Sequence, residues 1–274
     1  MRPLDQQVIL VTGATDGLGK GLAIDLAARG VTVLLHGRDD RRGAAALEEV
    51  RQAAGSDRLA WYRADLSSLA EVRALADQVS NDHQRLHALV NNAGIGSTVP
   101  GGGERQESAD GHELRFAVNY LAGYLLTRRL QPLLVASAPA RIVNVSSIGQ
   151  APIDFDDVML TRGYSGVQAY CQSKLAQVMM TIDLAAELAG TGVTVNALHP
   201  ATYMPTKIVA SPISTLEEGV RATSQLITEA DLDGVSGEFF NGLTAARANE
   251  QAYDPAARQR LRDLSDQLTG LARS

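Results

Sequence analysis

One tyrosine and one lysine stand at a spacing that could perform proton transfer. Tyr170 and Lys174 lie four residues apart in a stretch, AYCQSKLAQVMM, that predicts a helix over 168–189. At that spacing both side chains project from the same face of the helix. A free phenol has a pKa of about 10 and is a poor base at neutral pH, but a nearby ammonium favours the phenolate and lowers that pKa. The tyrosine could then exchange a proton with a carbonyl or alcohol oxygen. The alternative is an ordinary contact on the helix surface.

A glycine-rich turn, TGATDGLG over 12–19, joins a predicted strand at 7–11 to a predicted helix at 18–29. Glycine lets the backbone approach a pyrophosphate closely, and the start of a helix offers free N–H groups and the positive end of its dipole. The spacing is G-x-x-x-G-x-G, and glycines also serve tight turns, so the prediction depends on the place at the first strand–helix junction. The candidate dinucleotide-binding residues of this turn are Gly13, Thr15, Asp16, Gly17, Leu18 and Gly19.

The end of the second predicted strand, 31–35, indicates which dinucleotide the turn would hold. An NAD site usually places an acidic residue here to bind the ribose hydroxyls. This chain lacks that acidic residue, and Arg38 follows the strand. Because a guanidinium pairs with a 2′-phosphate through charge-assisted bonds, we predict NADP(H) as the cofactor. The alternative is a solvated surface arginine, since Asp16, Asp39 and Asp40 reduce the positive charge of the pocket.

The elements around these motifs alternate along the chain as short apolar strands and amphipathic helices. Predicted strands lie at 7–11, 31–35, 59–63, 86–90, 141–145, 193–198 and 235–240. Predicted helices lie at 18–29, 41–54, 67–79, 113–131, 168–189, 216–229 and 254–272. This alternation predicts a parallel sheet of βαβ units with right-handed crossovers. We expect one doubly wound α/β domain of the Rossmann type over 1–274, with about seven strands flanked by helices.

The composition excludes several classes of protein. The chain has 274 residues, of which 45% are hydrophobic and 20% charged, as in an ordinary globular domain. Its net charge of -6 argues against a nucleic-acid-binding protein. The single cysteine, Cys171, cannot form an internal disulfide, and the histidines lack metal-ligand spacing, so we expect no metal. No apolar run is long enough for a membrane span or a secretory signal, so we expect a cytoplasmic protein without membrane contact.

Together with further short motifs, the glycine turn and the Tyr–Lys pair resemble the classical short-chain dehydrogenases/reductases. These motifs are Asn91-Asn92-Ala93-Gly94, Asn119, Ser146-Ser147 and Tyr170-x-x-x-Lys174. The resemblance spans about residues 5–272. The stretch before Tyr170, the SKLAQ after it, and the C-terminal GEFF and LSDQLTGL are similar to the retinol-dehydrogenase-like branch. The resemblance implies hydride transfer between a nicotinamide dinucleotide and a carbonyl/alcohol pair.

The same resemblance implies a role for each matching residue. Tyr170 would be the proton donor in reduction and the base in oxidation, and Lys174 would lower its pKa and bind the nicotinamide ribose. Ser147, the second serine of its pair, would bind the substrate oxygen and stabilise developing charge. Asn119 would support a water and proton relay to the lysine. The implied cofactor contacts are Asp65 and Leu66 beside the adenine, Asn91, Ala93 and Gly94 behind the ribose, and Pro200, Tyr203 and Thr206 around the nicotinamide.

Two features depart from the family pattern. The family usually has Pro-Gly after the sixth strand, whereas this chain has Pro200-Ala201. Because alanine resists positive φ, we expect this loop to run differently. The retinol-dehydrogenase-like branch often has an N-terminal membrane anchor and this sequence shows none, so we do not expect a membrane-bound retinoid enzyme.

The substrate side is predicted from the loops around 95–112, 148–167 and 201–216. Their large side chains are mostly apolar: Ile95, Ile148, Ile153, Phe155, Met159, Tyr164, Tyr203, Met204, Ile208 and Ile213. We therefore expect a bulky, mostly hydrophobic ketone, aldehyde or secondary alcohol. One alternative is reduction of an activated C=C bond, or dehydration, at the same site. A second is a non-catalytic module that only binds a dinucleotide.

The oligomeric state has two possible outcomes. The predicted helices at 113–131 and 168–189 carry apolar residues on more than one face, which indicates burial against a partner subunit and predicts a homodimer or homotetramer. The long loop at 148–167 could instead cover that surface and leave a monomer.

Overall fold

The fold is built on one sheet, seen in a computed structural model that describes residues 2–96, 104–202, 204 and 213–271. Within these residues the strands are β1 Val8–Val11, β2 Thr32–Gly37, β3 Leu59–Arg63, β4 Ala88–Asn91, β5 Ala140–Val145, β6 Val193–His199, β7 Phe239–Asn241 and β8 Thr244–Ala246. They lie in the order β3-β2-β1-β4-β5-β6-β7-β8. Neighbouring strands are parallel except β7 and β8, which are antiparallel. The predicted doubly wound α/β fold is confirmed.

Eight α-helical segments lie in the described part of the chain. They are α1 Gly17–Ala28, α2 Asp40–Ala54, α3 Leu69–Asp82, α4 Leu114–Phe116, α5 Ala122–Ala136, α6 Gly166–Glu187, α7 Leu216–Thr228 and α8 Pro255–Thr269. A π-helical turn, Ala117–Leu121, joins α4 to α5, so the single helix predicted at 113–131 is interrupted. None of the helices in the described ranges is both long and apolar enough to cross a lipid bilayer.

Helix boundaries follow local capping chemistry. α7 begins with a reciprocal pair of hydrogen bonds in which the Thr215 side chain accepts from the Glu218 N–H and the Glu218 carboxylate accepts from the Thr215 N–H. α8 ends at Thr269 because Gly270 takes the left-handed conformation, with φ of 62°. The helix therefore stops short of its predicted end at residue 272.

Helices cover both faces of the sheet. One apolar cluster packs α1, α2 and α7 against the face that carries Ile9 and Val11. The other packs α3, α5, α6 and α8 against the opposite face, which carries Leu10. Successive residues of a strand point to opposite faces, so every central strand is apolar on both sides. This is why the strands appear in the sequence as short continuous apolar runs.

The strand order creates a crevice at the carboxyl edge of the sheet. β1 and β4 are neighbours, but the chain continues from β1 toward β2 and β3, and from β4 toward β5 and β6. In an open parallel sheet, ligands bind outside the carboxyl ends of the strands at such a switch point. The glycine turn follows β1, and Asn92-Ala93-Gly94 follows β4. The fold thus places these two motifs beside the crevice.

The C-terminal hairpin was not predicted. The strand predicted at 235–240 begins only at Phe239, and β8 adds an antiparallel edge strand after the two-residue loop Gly242-Leu243. Each of these strands has three residues, which is too short for an apolar alternation to be recognised in the sequence. The sheet therefore has seven parallel strands, as expected, and one further strand at its edge.

α8 packs against α5, α6 and the π-helical turn, the helices whose apolar faces led us to predict a partner subunit. Its Leu261 is 2% exposed in the core, and its Ser265 hydroxyl lies 2.8 Å from the hydroxyl of Tyr120. The Tyr124 hydroxyl donates to Oδ1 of Asp266 at 2.6 Å. The apolar residues of α5 and α6 are thus largely buried within the chain. α8 therefore covers part of these helix faces, and the predicted dimer or tetramer stays a prediction.

Candidate active site

Tyr170 and Lys174 lie on α6, which passes the carboxyl end of β5. Lys174 is 5% exposed, and its Nζ donates to the carbonyl oxygen of Val145 at 2.8 Å and to Oε1 of Gln177 at 3.0 Å. The same Nζ lies over the Tyr170 ring, 5.7 Å from the ring centre. Burial lowers the pKa of Lys174 to about 7. The amine can therefore gain or lose a proton near neutral pH.

The pKa of Tyr170 departs from the sequence prediction. Burial raises this pKa above the usual value for tyrosine, and the nearby Ser147 hydroxyl offsets part of the rise. The lysine was predicted to lower it, but the Lys174 amine is directed at a backbone carbonyl and lies over the ring. The prediction of a lowered pKa is therefore wrong for this structure. A raised pKa keeps the phenol protonated at neutral pH, as a proton donor requires.

The two adjacent serines after β5 have different partners. Ser146 donates from its Oγ to the carbonyl oxygen of Lys174 at 2.7 Å, so it fastens α6 to the sheet. Ser147 accepts the Gly149 N–H at 3.0 Å, and a Cβ atom built at Gly149 would stand 3.5 Å from Ser147 Oγ and 3.9 Å from Tyr170 Cε1. Of the two hydroxyls, that of Ser147 stands beside the phenol. This arrangement agrees with the choice of Ser147 as the predicted substrate-binding serine.

Asn119 lies within the π-helical turn and is buried. Its Oδ1 accepts the Ile95 N–H at 2.7 Å, and its Nδ2 donates to the Ile95 carbonyl at 3.1 Å and to Ser173 Oγ at 3.0 Å. A Cβ atom added at Gly94 would stand 3.3 Å from Asn119 Oδ1 and 3.6 Å from Lys174 Nζ. The structure therefore places the side chains of Asn119 and Lys174 beside the same backbone residue, Gly94. Single-turn π-helical segments occur often at functional sites.

The glycine turn is packed tightly against the segment that follows β4. Gly13 has φ of 68°, and a Cβ atom there would lie 2.9 Å from Ala93 Cα. A Cβ atom at Gly19 would overlap the carbonyl oxygen of Gly13. Gly17 also has a positive φ, of 48°, at the start of α1. The glycines are thus required by the shape of the turn itself.

Three other candidates of the turn are placed differently from one another. Thr15 is half-buried, and Asp16 caps α1 by accepting the Gly17 N–H at 2.9 Å. The Leu18 side chain is 6% exposed and packs in the core, so a cofactor contact there would come from its backbone. Asp16 also pairs with Arg42 at 3.5 Å, a cation that the sequence prediction did not consider.

Arg38 stands exposed at the carboxyl end of β2. Its guanidinium forms no hydrogen bond or ion pair with any residue that the structure describes. The neighbouring carboxylates are engaged elsewhere: Asp39 accepts the Arg42 N–H at 2.8 Å, and Asp40 accepts from Trp61 Nε1 at 2.9 Å. Arg38 is therefore available to an anion, and the three aspartates that were expected to oppose it, Asp16, Asp39 and Asp40, have partners of their own.

Asp65 and Leu66 follow β3. Burial alone would raise the pKa of Asp65, but hydrogen bonds from Ser67 and the charges of Arg38 and Arg63 together bring it below its usual value. The carboxylate therefore stays ionised. The Leu66 side chain packs in the core.

Asn91 is turned into the protein interior. Its Nδ2 donates to Thr127 Oγ1 at 3.0 Å and to Asn144 Oδ1 at 2.8 Å. A cofactor contact at Asn91 would therefore come from its backbone. Ala93 and Gly94, by contrast, are partly or fully exposed at the crevice.

The loop after β6 is only partly described. Pro200 is buried, and the preceding His199 has its pKa lowered by burial and then by the charge of Lys174. Ala201 takes an ordinary φ, because Leu160 is the one non-glycine residue with positive φ in the described part of the chain. Tyr203 and Thr206 lie outside the described residues.

The apolar residues predicted to line the substrate site lie in different places in the structure. Ile148, directly after Ser147, is 58% exposed, and Ile95 is half-buried beside Asn119. Ile153 is buried in the core, and Phe155 packs against that core and under Arg260. Ile153 therefore packs inside the protein and its backbone bonds Gln251, while Phe155 contacts α8 through Arg260. Tyr203 and Ile208 are outside the described residues.

The other residues predicted to line the substrate site are also far from one another in the fold. Met159 packs against the apolar cluster on the sheet face that carries Leu10, and Met204 packs near α1 and α7. The Tyr164 hydroxyl donates to buried Glu113 at 3.0 Å and accepts from Arg115 at 2.7 Å. Ile213 is strongly exposed.

Two residues that the sequence prediction missed tie the site together. Thr12 Oγ1 accepts the N–H groups of Asn92 and Ala93, each at 3.0 Å, and donates to the Val90 carbonyl. Asn92 Nδ2 donates back to the Thr12 carbonyl at 2.8 Å. Both residues stand within the motifs that were singled out, which was the available signal. Among the described residues, no three His, Cys, Asp or Glu side chains are grouped to hold a metal ion.

This fold and this arrangement of serine, tyrosine and lysine define a class of protein. A family model described as short chain dehydrogenase matches residues 7–215. The chain therefore belongs to the short-chain dehydrogenases/reductases, which are oxidoreductases acting on alcohols and carbonyls. The expected family is confirmed.

The relatives also agree with the expected branch. The chain is 36% identical to retinol dehydrogenase 13 from Homo sapiens over 288 residues, which cover 97% of this chain and 85% of that protein. It is 34% identical to retinol dehydrogenase 12 from Homo sapiens over 98% of this chain and 88% of the relative.

Solved structures share the fold over most of the chain. An uncharacterised protein from Mycobacterium paratuberculosis matches with a TM-score of 0.80 and 30% identity, covering 97% of this chain and 94% of that one. A short chain dehydrogenase from Escherichia coli CFT073, complexed with NADPH, matches with a TM-score of 0.71 and 26% identity over 88% and 98% of the two chains.

Proposed function

We propose that the protein is an NADP(H)-dependent oxidoreductase that interconverts a bulky, mostly hydrophobic ketone or aldehyde and its alcohol. The observation that carries this proposal is that the Ser147 hydroxyl and the Tyr170 ring meet at Gly149, beside the buried amine of Lys174. A nicotinamide dinucleotide, when bound, supplies the hydride in reduction and accepts it in oxidation.

The side chains divide the remaining work. Tyr170, with its raised pKa, donates its phenolic proton to the substrate oxygen in reduction. Ser147 donates a hydrogen bond to the same oxygen and stabilises its developing negative charge. Lys174, with a pKa of about 7, returns a proton toward the tyrosine at neutral pH. Asn119 hydrogen-bonds both the N–H and the carbonyl of Ile95, and so fixes the backbone of Gly94 and Ile95 beside Lys174.

The residues present fit an NADP(H) molecule. Arg38 offers an exposed guanidinium at the end of β2, where a 2′-phosphate would be bound, and forms no hydrogen bond or ion pair with the residues that the structure describes. Asp39 and Asp40 are occupied by Arg42 and Trp61, so they do not neutralise it by direct contact. The NADPH complex of the structurally similar Escherichia coli protein supports the same choice.

The substrate proposal depends on the apolar surface beside Ser147. Ile148 is largely exposed and Ile95 partly so, which gives the substrate side an apolar border. Two relatives are named as dehydrogenases of retinol, a large apolar alcohol, and this supports a hydrophobic substrate.

Replacement of Tyr170 by phenylalanine tests the proposal. The purified protein is assayed with NADPH against apolar ketones and aldehydes, with retinal included, and NADPH binding is followed by nicotinamide fluorescence. Tyr170→Phe should lower turnover by at least about 100-fold and leave NADPH binding intact. Unchanged turnover would remove Tyr170 from the mechanism. A product that keeps its carbonyl group would favour C=C reduction or dehydration, and binding without turnover on any substrate would favour the non-catalytic module.

A further inference from the structure

His36 is a buried imidazole at the carboxyl end of β2, and both of its ring nitrogens are used. The residue is 2% exposed. Its Nδ1 lies 3.2 Å from the N–H of Gly13, and its Nε2 lies 3.1 Å from the carbonyl oxygen of Ala64. A carbonyl can only accept and an amide N–H can only donate. Nε2 therefore carries the proton, and Nδ1 accepts from the glycine turn.

Backbone hydrogen bonds at His36 and Gly37 join the same segments as the His36 ring does. The His36 carbonyl accepts the Ala14 N–H at 2.8 Å, and the Ala64 N–H donates to the Gly37 carbonyl at 3.0 Å. The ring bonds thus extend a bridge that runs from the glycine turn, through the end of β2, to the residue just before Asp65. These are the three strand ends at which the proposed dinucleotide would be bound.

We propose that His36 is a positioning residue for the dinucleotide, which fixes the glycine turn relative to the Asp65–Leu66 turn. The inference rests on the proposed function, because it concerns the affinity of the same cofactor site. Gly13 is the part of the turn that most needs support, since it has a positive φ and lies in close contact with Ala93. An apolar side chain in place of His36 would leave the Gly13 N–H and the Ala64 carbonyl without these partners.

The burial of the ring suits this role. Burial lowers the pKa of His36 to about 4, so the ring is neutral across the physiological pH range and Nδ1 stays available as an acceptor. His36 lies in β2, apart from Ser147 and Tyr170 in β5's loop and α6, so a change there should affect cofactor binding rather than the proton-transfer step.

Two substitutions separate the two ring bonds. His36→Asn places an amide oxygen near the position of Nδ1 and keeps the bond to Gly13. His36→Gln places an amide nitrogen near the position of Nε2 and keeps only the bond to Ala64. The measurement is the Kd of NADPH, followed by nicotinamide fluorescence, together with the melting temperature of each variant and turnover at saturating NADPH.

We expect His36→Gln to weaken NADPH binding about tenfold and His36→Asn to weaken it less than about threefold. Turnover at saturating cofactor should stay within about twofold of wild type in both variants. A merely structural role would lower both melting temperatures and leave both Kd values at the wild-type value, which would overturn the inference alone.

Two further outcomes of these measurements also test the role of His36. If the wild-type protein binds neither NADPH nor NADH, the proposed function fails and the inference fails with it. If His36→Gln does not fold, His36→Ala takes its place, because it also removes the bond to Gly13. About a tenfold loss of NADPH affinity in His36→Ala, with less than about a threefold loss in His36→Asn, would support the inference, and wild-type affinity in His36→Ala would overturn it.

Discussion

The amine of Lys174 lies over the ring of Tyr170, 5.7 Å from its centre, and donates to the carbonyl oxygen of Val145 at 2.8 Å. The protein thus fixes the lysine through the end of β5 rather than through the tyrosine hydroxyl. Ser147 is the hydroxyl that lies beside the Tyr170 ring, next to Gly149. Tyr170 therefore starts as a protonated donor, and Lys174 is an amine that can exchange protons near neutral pH.

The two serines provide a matched pair of substitutions. Ser147→Ala should lower kcat by about 100-fold or more, because it removes the hydroxyl beside the phenol. Ser146→Ala removes the bond to the Lys174 carbonyl and should lower the free energy of unfolding by about 1 kcal/mol with a much smaller loss of kcat. Steady-state kinetics and urea unfolding of both variants check this. Equal losses of kcat would contradict separate roles for the two hydroxyls.

Arg38 should set the preference between the two dinucleotides. Arg38→Gln should raise the Kd of NADPH by about tenfold or more and change that of NADH little, because only NADPH has a 2′-phosphate. Arg41→Gln is the control, since Arg41 is also exposed and lies in α2. Fluorescence titrations measure all three proteins. A similar loss for both dinucleotides in Arg38→Gln would count against a phosphate contact.

Burial of Lys174 should cost stability in a pH-dependent way. Its pKa falls from 10.5 to about 7 on folding, so unfolding takes up a proton between these two pH values. The cost is complete below pH 7 and shrinks as the pH rises toward 10.5. Lys174→Met should therefore raise the melting temperature by a few degrees at about pH 6, less at about pH 10, while it abolishes turnover. Lys20→Met, at an exposed ion pair with Glu49, should show no such trend. A gain that grows with pH would contradict the lowered pKa.

The C-terminal helix should be an integral part of the core. Leu261→Ala removes a buried side chain of α8 and should lower the free energy of unfolding by about 2–5 kcal/mol. Gln267→Ala, at an exposed position of the same helix, should change it by less than about 0.5 kcal/mol. Urea unfolding followed by circular dichroism checks both. If Leu261→Ala is as mild as the control, α8 does not cover α5 and α6 as described.

The sheet and the Tyr170–Lys174 pair could be predicted from the sequence because both have local sequence patterns. The strands are buried on both faces and so appear as apolar runs, and Tyr170 with Lys174 is recognisable from spacing alone. The bonds of His36 could not be predicted, since they join residues from three strand ends that meet only in the folded chain. The pKa of Tyr170 also depends on burial and on where the Lys174 amine points, and neither is encoded by a four-residue spacing.

The most direct test of the proposed reaction is isotope transfer from NADPH that carries deuterium at both C4 positions of the nicotinamide. The protein is incubated with this cofactor and a bulky apolar aldehyde, and the product is analysed by mass spectrometry. We predict an alcohol with one deuterium on the carbinol carbon, formed at a rate at least about 100-fold lower in Tyr170→Phe. Deuterium on another carbon with the carbonyl intact, or no transfer to any substrate of this class, would contradict it.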